Sequence, residues 1–291
     1  MHRIVLADNL EVLRALPDGA INLIYLDPPF NTGRTQRHTA VRTERADEAS
    51  EGAPAGDRTG FGGRRYRTTE LSTRAFEDAF DDFLGFLEPR LAECHRVLAA
   101  DGSLFLHLDP RESHYAKVLL DGLFGRDGFL NEIVWAYDYG GRSKRRWPAK
   151  HDTILWYAKN PTNYTFNYDA IDRVPYMAPK LVTEEKAARG KVPTDVWWQT
   201  IVPTSGSERT GYPTQKPLAI LERIVRVHSN PGDRVLDFFA GSGTTGEAAW
   251  KHGRSCLLVD VHPDAIATME RRLAAASPRV RRVPVGSARE T

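Results

Sequence analysis

The chain has 291 residues, 41% of them hydrophobic and 27% charged, enough for one sizeable α/β core plus a small insert. No apolar run approaches the roughly 20 residues a bilayer helix needs. The opening residues carry no signal-peptide apolar core, and the two cysteines, Cys94 and Cys256, exclude a disulfide framework or a cysteine-rich zinc site and fit a reducing cytoplasm. The formal net charge is only +2, so any affinity for nucleic acid must come from where basic residues cluster.

Strands alternate with helices along most of the chain, which predicts an α/β domain around a mainly parallel sheet. A first strand is expected over Ile4–Ala7, followed by Asp8. The second, Ile21–Leu26, ends in Asp27-Pro28-Pro29-Phe30. Two consecutive prolines remove two backbone donors and fix φ, so the chain stops pairing and projects rigidly from the strand end, where α/β folds place their ligands. One carboxylate, the Pro28 carbonyl and one aromatic face suit a planar ring bearing an exocyclic NH2. A plain turn is the alternative.

Residues 31–75 lack apolar periodicity and hold nine arginines, Arg64, Arg65 and Arg67 among them; they are expected to form a long mobile loop. Helical spacing then runs over Phe80–Leu98, with Phe80, Phe83, Leu84, Leu87, Leu91 and Cys94 on one face. Strands follow at Ser103–Leu108, Glu132–Tyr137 and Thr153–Ala158. Between the last two lies Gly140–Lys150, with five basic residues (Arg142, Lys144, Arg145, Arg146, Lys150), no acid, and Trp135, Tyr137 and Tyr139 beside it. This is a candidate nucleic-acid contact or a solvated basic loop. Residues 160–213, rich in Pro, Tyr and Trp, read as a small insert. Trp197 and Trp198 within it are core or DNA wedge, at least one of them core. A helix is expected at Pro217–Val227.

The strand Arg234–Phe238 runs into Asp237-Phe238-Phe239-Ala240-Gly241-Ser242-Gly243-Thr244-Thr245-Gly246. Glycines there let backbone approach a ligand, and the following helix start offers free N–H groups. Asp260 ends the next strand, Ser255–Val259, 19 residues after Gly241, and a carboxylate at that place can accept both hydroxyls of a ribose. Gly241, Gly243 and Gly246 formally match a dinucleotide fingerprint, so a nicotinamide dehydrogenase has to be weighed, although no hydride-transfer partner is evident and the tetrad would go unexplained. Only 45 residues follow Gly246, so a single sheet must take its remaining strands from the N-terminal side, a circularly permuted order. A last helix is expected at Ala265–Leu273 and a flexible tail over 277–291.

The tetrad Asp27–Phe30 and the loop Asp237–Thr245, together with Tyr212-Pro213-Thr214-Gln215-Lys216-Pro217 just before the glycine loop, resemble the S-adenosylmethionine-dependent DNA amino-methyltransferases of the β, permuted, class. The resemblance covers about residues 2–30, 77–160 and 212–275. It implies a Rossmann-like methyltransferase fold with a seven-stranded, mostly parallel sheet, one strand of it antiparallel, in which Arg234–Phe238 is the first strand and Ile21–Leu26 the fourth. Residues 1–159 become the N-terminal part of the catalytic domain, 160–213 a candidate target-recognition region and 214–276 the cofactor-binding part. Asp27, Pro28, Pro29 and Phe30 become the catalytic residues. Asp237, Phe239, Ala240, Gly241, Ser242, Gly243, Thr244 and Thr245 would hold the methionine end of S-adenosylmethionine, and Asp260 its ribose. Lys216 and Pro217 would close over the methionine carboxylate, and Asp8 would reach the adenine edge.

Methylating a paired exocyclic amine requires the nucleotide to be flipped out of the duplex, with backbone contacts to offset the unstacking. Double-stranded DNA is therefore the implied partner. A homodimer and a paired restriction endonuclease are left open. Asp at the first tetrad position resembles the N6-adenine enzymes. An N4-cytosine enzyme, an RNA methyltransferase and a DNA-binding regulator without catalysis are the alternatives.

Overall fold

The computed structural model describes residues 1–31, 80–141, 143–203 and 206–276, with the strand backbone of 34–45, 57–59, 65–78 and 280–282. In chain order the elements are β1 (His2–Leu6), α1 (Asn9–Ala15), β2 (Ile21–Leu26), β3 (Arg34–Arg45), β4 (Asp57–Thr59), β5 (Arg65–Asp78), α2 (Phe83–Val97), β6 (Leu98–Leu108), α3 (Ser113–Phe124), β7 (Phe129–Ala136), β8 (His151–Ala158), α4 (Glu184–Arg189), β9 (Val196–Trp198), α5 (Leu218–His228), β10 (Arg234–Asp237), α6 (Thr244–Lys251), β11 (Ser255–Asp260), α7 (Pro263–Arg272) and β12 (Val280–Arg282). No helix among the described residues is long and apolar enough to cross a membrane.

The larger unit, residues 1–30 and 82–291, is built on one nine-stranded sheet in the order β12-β1-β11-β10-β2-β6-β8-β7-β9. Every neighbouring pair is parallel except the two made by β8, which runs against β6 and β7. The seven expected strands are all present, with one antiparallel strand among six parallel ones. Two short ones join at the edges, β9 beside β7 and β12 beside β1. The strand count is thus corrected from seven to nine. Three-residue edge strands carry too little alternation to be read from a sequence.

The permuted order has a direct spatial consequence. β10, late in the chain, pairs with early β2 through Val235–Leu23 and Leu236–Ile24. Parallel strands end on the same edge of the sheet, so the tetrad after β2 and the glycine loop after β10 emerge side by side. Because β8 is antiparallel, its beginning, not its end, lies at that edge. Asp152 is delivered there in that way. Buried Leu23, Tyr25, Phe105, Ile154, Val235 and Leu258 share one face of the sheet and knit the strands into one core.

Residues 160–213 do not stand apart as an insert. β9 extends the main sheet, and Asp172 pairs with Arg223 (2.9 Å) and Arg226 (3.2 Å) of α5. Asn167 donates to Ser229 O at 2.8 Å. Trp156, Phe166 and Phe105 surround the His228 ring, and burial pushes that imidazole down to about 3, a neutral core residue. Trp197 is buried and Trp198 exposed, so the two tryptophans divide between core and surface.

The smaller unit, residues 31–81, corrects the long mobile loop expected over 31–75. Antiparallel β3 and β5 pair from Arg34–Asp78 to Arg45–Tyr66, and β4 adds to β5. A ladder is made by backbone groups and does not require apolar alternation. Thr35, Thr39, Val41 and Thr43 supply β-branched residues to a strand that lacks the usual signal. Of the tail expected to be flexible, 280–282 form β12; the other residues of 277–291 lie outside the described residues.

Candidate active site

Asp27 follows β2 directly, and Pro28, next in the chain, is buried. Its Oδ2 accepts a hydrogen bond from Lys216 Nζ at 2.6 Å, and both side chains are largely enclosed. The other oxygen, Oδ1, is buried without a hydrogen-bond partner. Phe30 lies beside the same group, with Lys216 Nζ 4.8 Å from its ring centre and the His107 ring 5.8 Å away. The tetrad thus presents one satisfied carboxylate oxygen, one free one and an aromatic face.

Behind the tetrad stands a buried network that sequence reasoning missed. Fully buried His107, on β6, meets Tyr25 OH at Nδ1 (2.7 Å) and Asp152 Oδ2 at Nε2 (3.1 Å), and Tyr137 OH donates to Asp152 Oδ1 at 3.0 Å. Asp27 Oδ1 is 3.8 Å from His107 Nδ1. Burial would raise the Asp152 carboxyl, yet its bonds from His107 and Tyr137 and the nearby Lys216 charge hold it below the ordinary range. Burial, with the Asp27 charge adding to it, pushes the Tyr25 phenol well up. No pattern in the sequence joins these residues. Strand pairing does.

The glycine loop is organised from within. Asp237 accepts Phe239 N–H at Oδ1 (3.0 Å) and Thr245 Oγ1–H at Oδ2 (2.6 Å), and burial pushes its carboxyl up to about 7. Gly243 N donates to Ala240 O at 2.7 Å, closing the turn. Gly241 (φ 47°) and Gly243 (φ 75°) adopt positive φ. A Cβ on Gly241 would come 3.1 Å from the Tyr212 ring, and one on Gly243 would come 2.8 Å from Met269 Cγ. No side chain caps the start of α6, so its first N–H groups are available to a ligand. Arg272 reaches this loop, donating to Thr244 Oγ1 at 3.0 Å and to Ser242 Oγ at 3.3 Å.

Asp260 accepts Gly241 N–H and His262 N–H, each at 2.9 Å; burial raises its carboxyl against those bonds. Each oxygen keeps a lone pair for a further donor. Asp8 caps α1, accepting from Leu10 N at 2.9 Å, and pairs with Arg90 at 3.4 Å. Neighbouring Asn9 donates to Phe238 O at 3.0 Å, which docks this segment beside the glycine loop. Pro217 directly precedes α5 as its N-cap residue, and the Lys216 carbonyl accepts from Thr244 Oγ1 at 3.3 Å. Tetrad, Lys216-Pro217 and glycine loop therefore form one continuous site.

The basic segment joins β7 to β8, and Tyr137 N–H donates to Lys150 O at 2.9 Å, two residues before Asp152. Lys144, Arg145 and Arg146 are exposed, while Lys150 is turned inward, donating to Gly140 O at 2.8 Å and to Tyr139 O. Arg142 lies outside the described residues.

Residues 21–271 match the family model described as DNA methylase, of the N6/N4 methyltransferase type. The chain is 32% identical over 282 residues to the DNA adenine methyltransferase YhdJ of Escherichia coli (strain K12), covering 94% of this chain and 83% of that one. It is 30% identical over 271 residues to the type II methyltransferase M.HpaI of Haemophilus parainfluenzae, covering 93% and 74%. Among solved structures the fold is similar to the M1.HpyAVI–SAM complex (TM-score 0.58, 21% identity, 94% of this chain and 99% of that one). It is also similar to the cytosine-N4-specific PvuII DNA methyltransferase (TM-score 0.63, 16% identity, 94% and 86%). With its tetrad and glycine loop on adjacent strand ends and a family match running almost the length of the fold, this chain belongs to the N6/N4 DNA methylase family.

Proposed function

We propose that this protein transfers a methyl group from S-adenosylmethionine to the exocyclic N6 of an adenine flipped out of double-stranded DNA. The observation that carries this reading is the free, buried Asp27 Oδ1 beside Phe30, just past the end of β2, the strand that pairs with β10 ahead of the glycine loop. An unpaired buried acceptor is costly to keep, and an amino N–H arriving there satisfies it.

The cofactor's residues fit it. The uncapped α6 start offers N–H groups to its carboxylate end, the turn at Gly241–Gly243 brings backbone close without side chains, and Asp260 has acceptor capacity left for ribose hydroxyls. When bound, S-adenosylmethionine supplies an electrophilic methyl on a sulfonium. The chain's own part is to bring the amine to it. An adenine amino lone pair is delocalised into the ring, so the nitrogen is a poor nucleophile until it pyramidalises. Asp27 and the Pro28 carbonyl, each accepting one N–H, favour that geometry and stabilise the positive charge that develops, while Phe30 stacks on the base and Pro29 keeps the segment rigid. Residues 160–213 are the candidate for target recognition, and Lys144, Arg145 and Arg146 for phosphate contacts. A homodimer and a paired restriction endonuclease are compatible with the resemblance, and a cytoplasmic location is supported by the two unpaired cysteines.

Asp at the head of the tetrad and the relative named a DNA adenine methyltransferase favour adenine. The fold it shares with an enzyme named cytosine-N4-specific supports cytosine N4 as the second reading. Nucleoside analysis of methylated DNA separates the two. Single-turnover methylation tests the site: Asp27→Ala should nearly abolish turnover with S-adenosylmethionine binding intact, and Phe30→Ala should weaken base stacking by about 1–3 kcal/mol. Near-normal turnover in Asp27→Ala would reduce the carboxylate to a turn residue.

A further inference from the structure

We propose that His107, held between Asp152 and Tyr25, is a positioning residue for Asp27 and the group that finally holds the proton released by the reacting amine. The inference rests on the reading of Asp27 given above and adds a path for the proton.

The network fixes the resting state of the ring. An ionised carboxylate such as Asp152 only accepts, so its 3.1 Å contact places a proton on His107 Nε2. Tyr25 keeps its phenolic proton, since burial opposes its loss, and so can donate to Nδ1 across 2.7 Å. Nε2 is thus the donor to Asp152 and Nδ1 the acceptor from Tyr25. That nitrogen stands 3.8 Å from Asp27 Oδ1, the oxygen without a partner. A movement of about 0.9 Å closes the gap to hydrogen-bond length, the usual tightening from a free to a substrate-bound site. The charged and titratable groups facing the ring are Tyr25 from β2, Asp27 after it, Asp152 from the start of β8, and Lys216 by way of Asp27. Trp135 from β7 covers its edge at 5.5 Å, and Tyr137 reaches it only through Asp152.

After methyl transfer the amino nitrogen carries a positive charge and one proton too many. One N–H bond then breaks, its electron pair staying on nitrogen, and an O–H bond forms at Asp27 Oδ1. That proton moves on to His107 Nδ1 as the Tyr25 hydroxyl turns from donor to acceptor. The imidazolium is held against the Asp152 carboxylate, Asp27 is again an acceptor, and the neutral methylated amine can leave. His107 touches neither base nor cofactor; it acts through Asp27. The final release of the proton to solvent completes the cycle.

The experiment is single-turnover methylation at saturating cofactor and DNA from pH 5.5 to 9, beside 15N NMR of the His107 ring in the free protein. The wild-type rate should rise with pH through one ionisation. His107→Gln should lose that dependence and about 100-fold in rate, with cofactor binding retained. Asp152→Asn, lacking the carboxylate that favours the imidazolium, should move the midpoint to lower pH. The ring signals should report Nδ1 unprotonated and Nε2 protonated on the alkaline side. A pH dependence that survives in His107→Gln overturns the proposal. So does a ring with both nitrogens protonated across the range, a result that needs no variant to fold. Loss of turnover in Asp27→Ala tests the reading of the tetrad separately, since it leaves the His107 ring signals to be read on their own.

Discussion

Lys216 Nζ stands 2.6 Å from Asp27 Oδ2, although 189 residues separate the two in the chain. The same lysine places its ammonium 4.8 Å from the centre of the Phe30 ring, and its carbonyl accepts from Thr244 at the head of α6. One residue thus stitches the tetrad to the glycine loop. The pair is almost enclosed, so removing one partner strands the other charge where water reaches it poorly.

This gives a prediction on stability. Lys216→Met should destabilise the fold at pH 7 by about 1–3 kcal/mol, and Asp27→Asn by less, since an amide can still meet a neighbouring donor. The double variant should cost less than the two single losses added together, because neither charge is then left alone. Urea denaturation of the four proteins measures the coupling. Additive losses would mean that the two side chains are adjacent but do not depend on one another.

Glycine substitutions should act through the loop's own packing. Gly243→Ala meets both a φ of 75° and a Met269 Cγ 2.8 Å from the new Cβ. The left-handed backbone alone costs about 1–2 kcal/mol. Gly241→Ala, at φ 47° with the Tyr212 ring edge 3.1 Å away, should cost less. Both should weaken S-adenosylmethionine binding in calorimetry, and adding Met269→Ala should restore only part of the Gly243→Ala loss. If Gly243→Ala melted at the wild-type temperature, the turn would not need a glycine.

The two motifs were legible in the sequence because their constraints are local. Proline pairs and closely spaced glycines dictate backbone shape within a few residues, and strands Ile21–Leu26 and Arg234–Phe238 announced where those shapes would stand. His107, Tyr25 and Asp152 were not legible. Each reads as an ordinary strand residue, and only the antiparallel course of β8 carries Asp152 back beneath the tetrad. Arg272, which grips Ser242 and Thr244, likewise reaches the loop only through tertiary packing. The β3–β5 ladder escaped for another reason: its strands lack the alternation by which a half-buried strand is recognised. Asp237 was picked out for the cofactor, and the structure adds that both its oxygens already organise the loop.

That double duty of Asp237 makes cofactor binding depend on pH. Its carboxyl is pushed up to about 7 by burial, from the ordinary 3.8. Between those values the folded protein holds a proton that the unfolded chain has released. The contribution to stability is therefore present at low pH and declines as pH rises to about 7. The methionine end of S-adenosylmethionine carries an ammonium, which favours the ionised carboxylate. Affinity measured by calorimetry should rise with pH through about 7 and then level off, and Asp237→Asn should bind more weakly with that rise removed. A wild-type affinity constant from pH 5.5 to 8.5 would place the ammonium elsewhere.

The basic segment after β7 separates DNA affinity from chemistry. Lys144, Arg145 and Arg146 are exposed and free to meet phosphates, whereas Lys150 spans the loop, bonded to the carbonyls of Tyr139 and Gly140. Each phosphate contact releases condensed counterions, so log affinity falls with log salt by about 0.9 per contact. Replacing Lys144, Arg145 and Arg146 with Gln should weaken binding to all DNA sequences alike and flatten the salt slope by up to about 2.7, leaving S-adenosylmethionine affinity unchanged. Lys150→Gln acts differently, because it frees two carbonyls rather than a phosphate ligand. It should loosen the loop and lower DNA affinity with a smaller change in slope. Fluorescence anisotropy over a salt series distinguishes the two effects. An unaltered slope in the triple variant would make this segment a solvated face and send the DNA backbone to another surface.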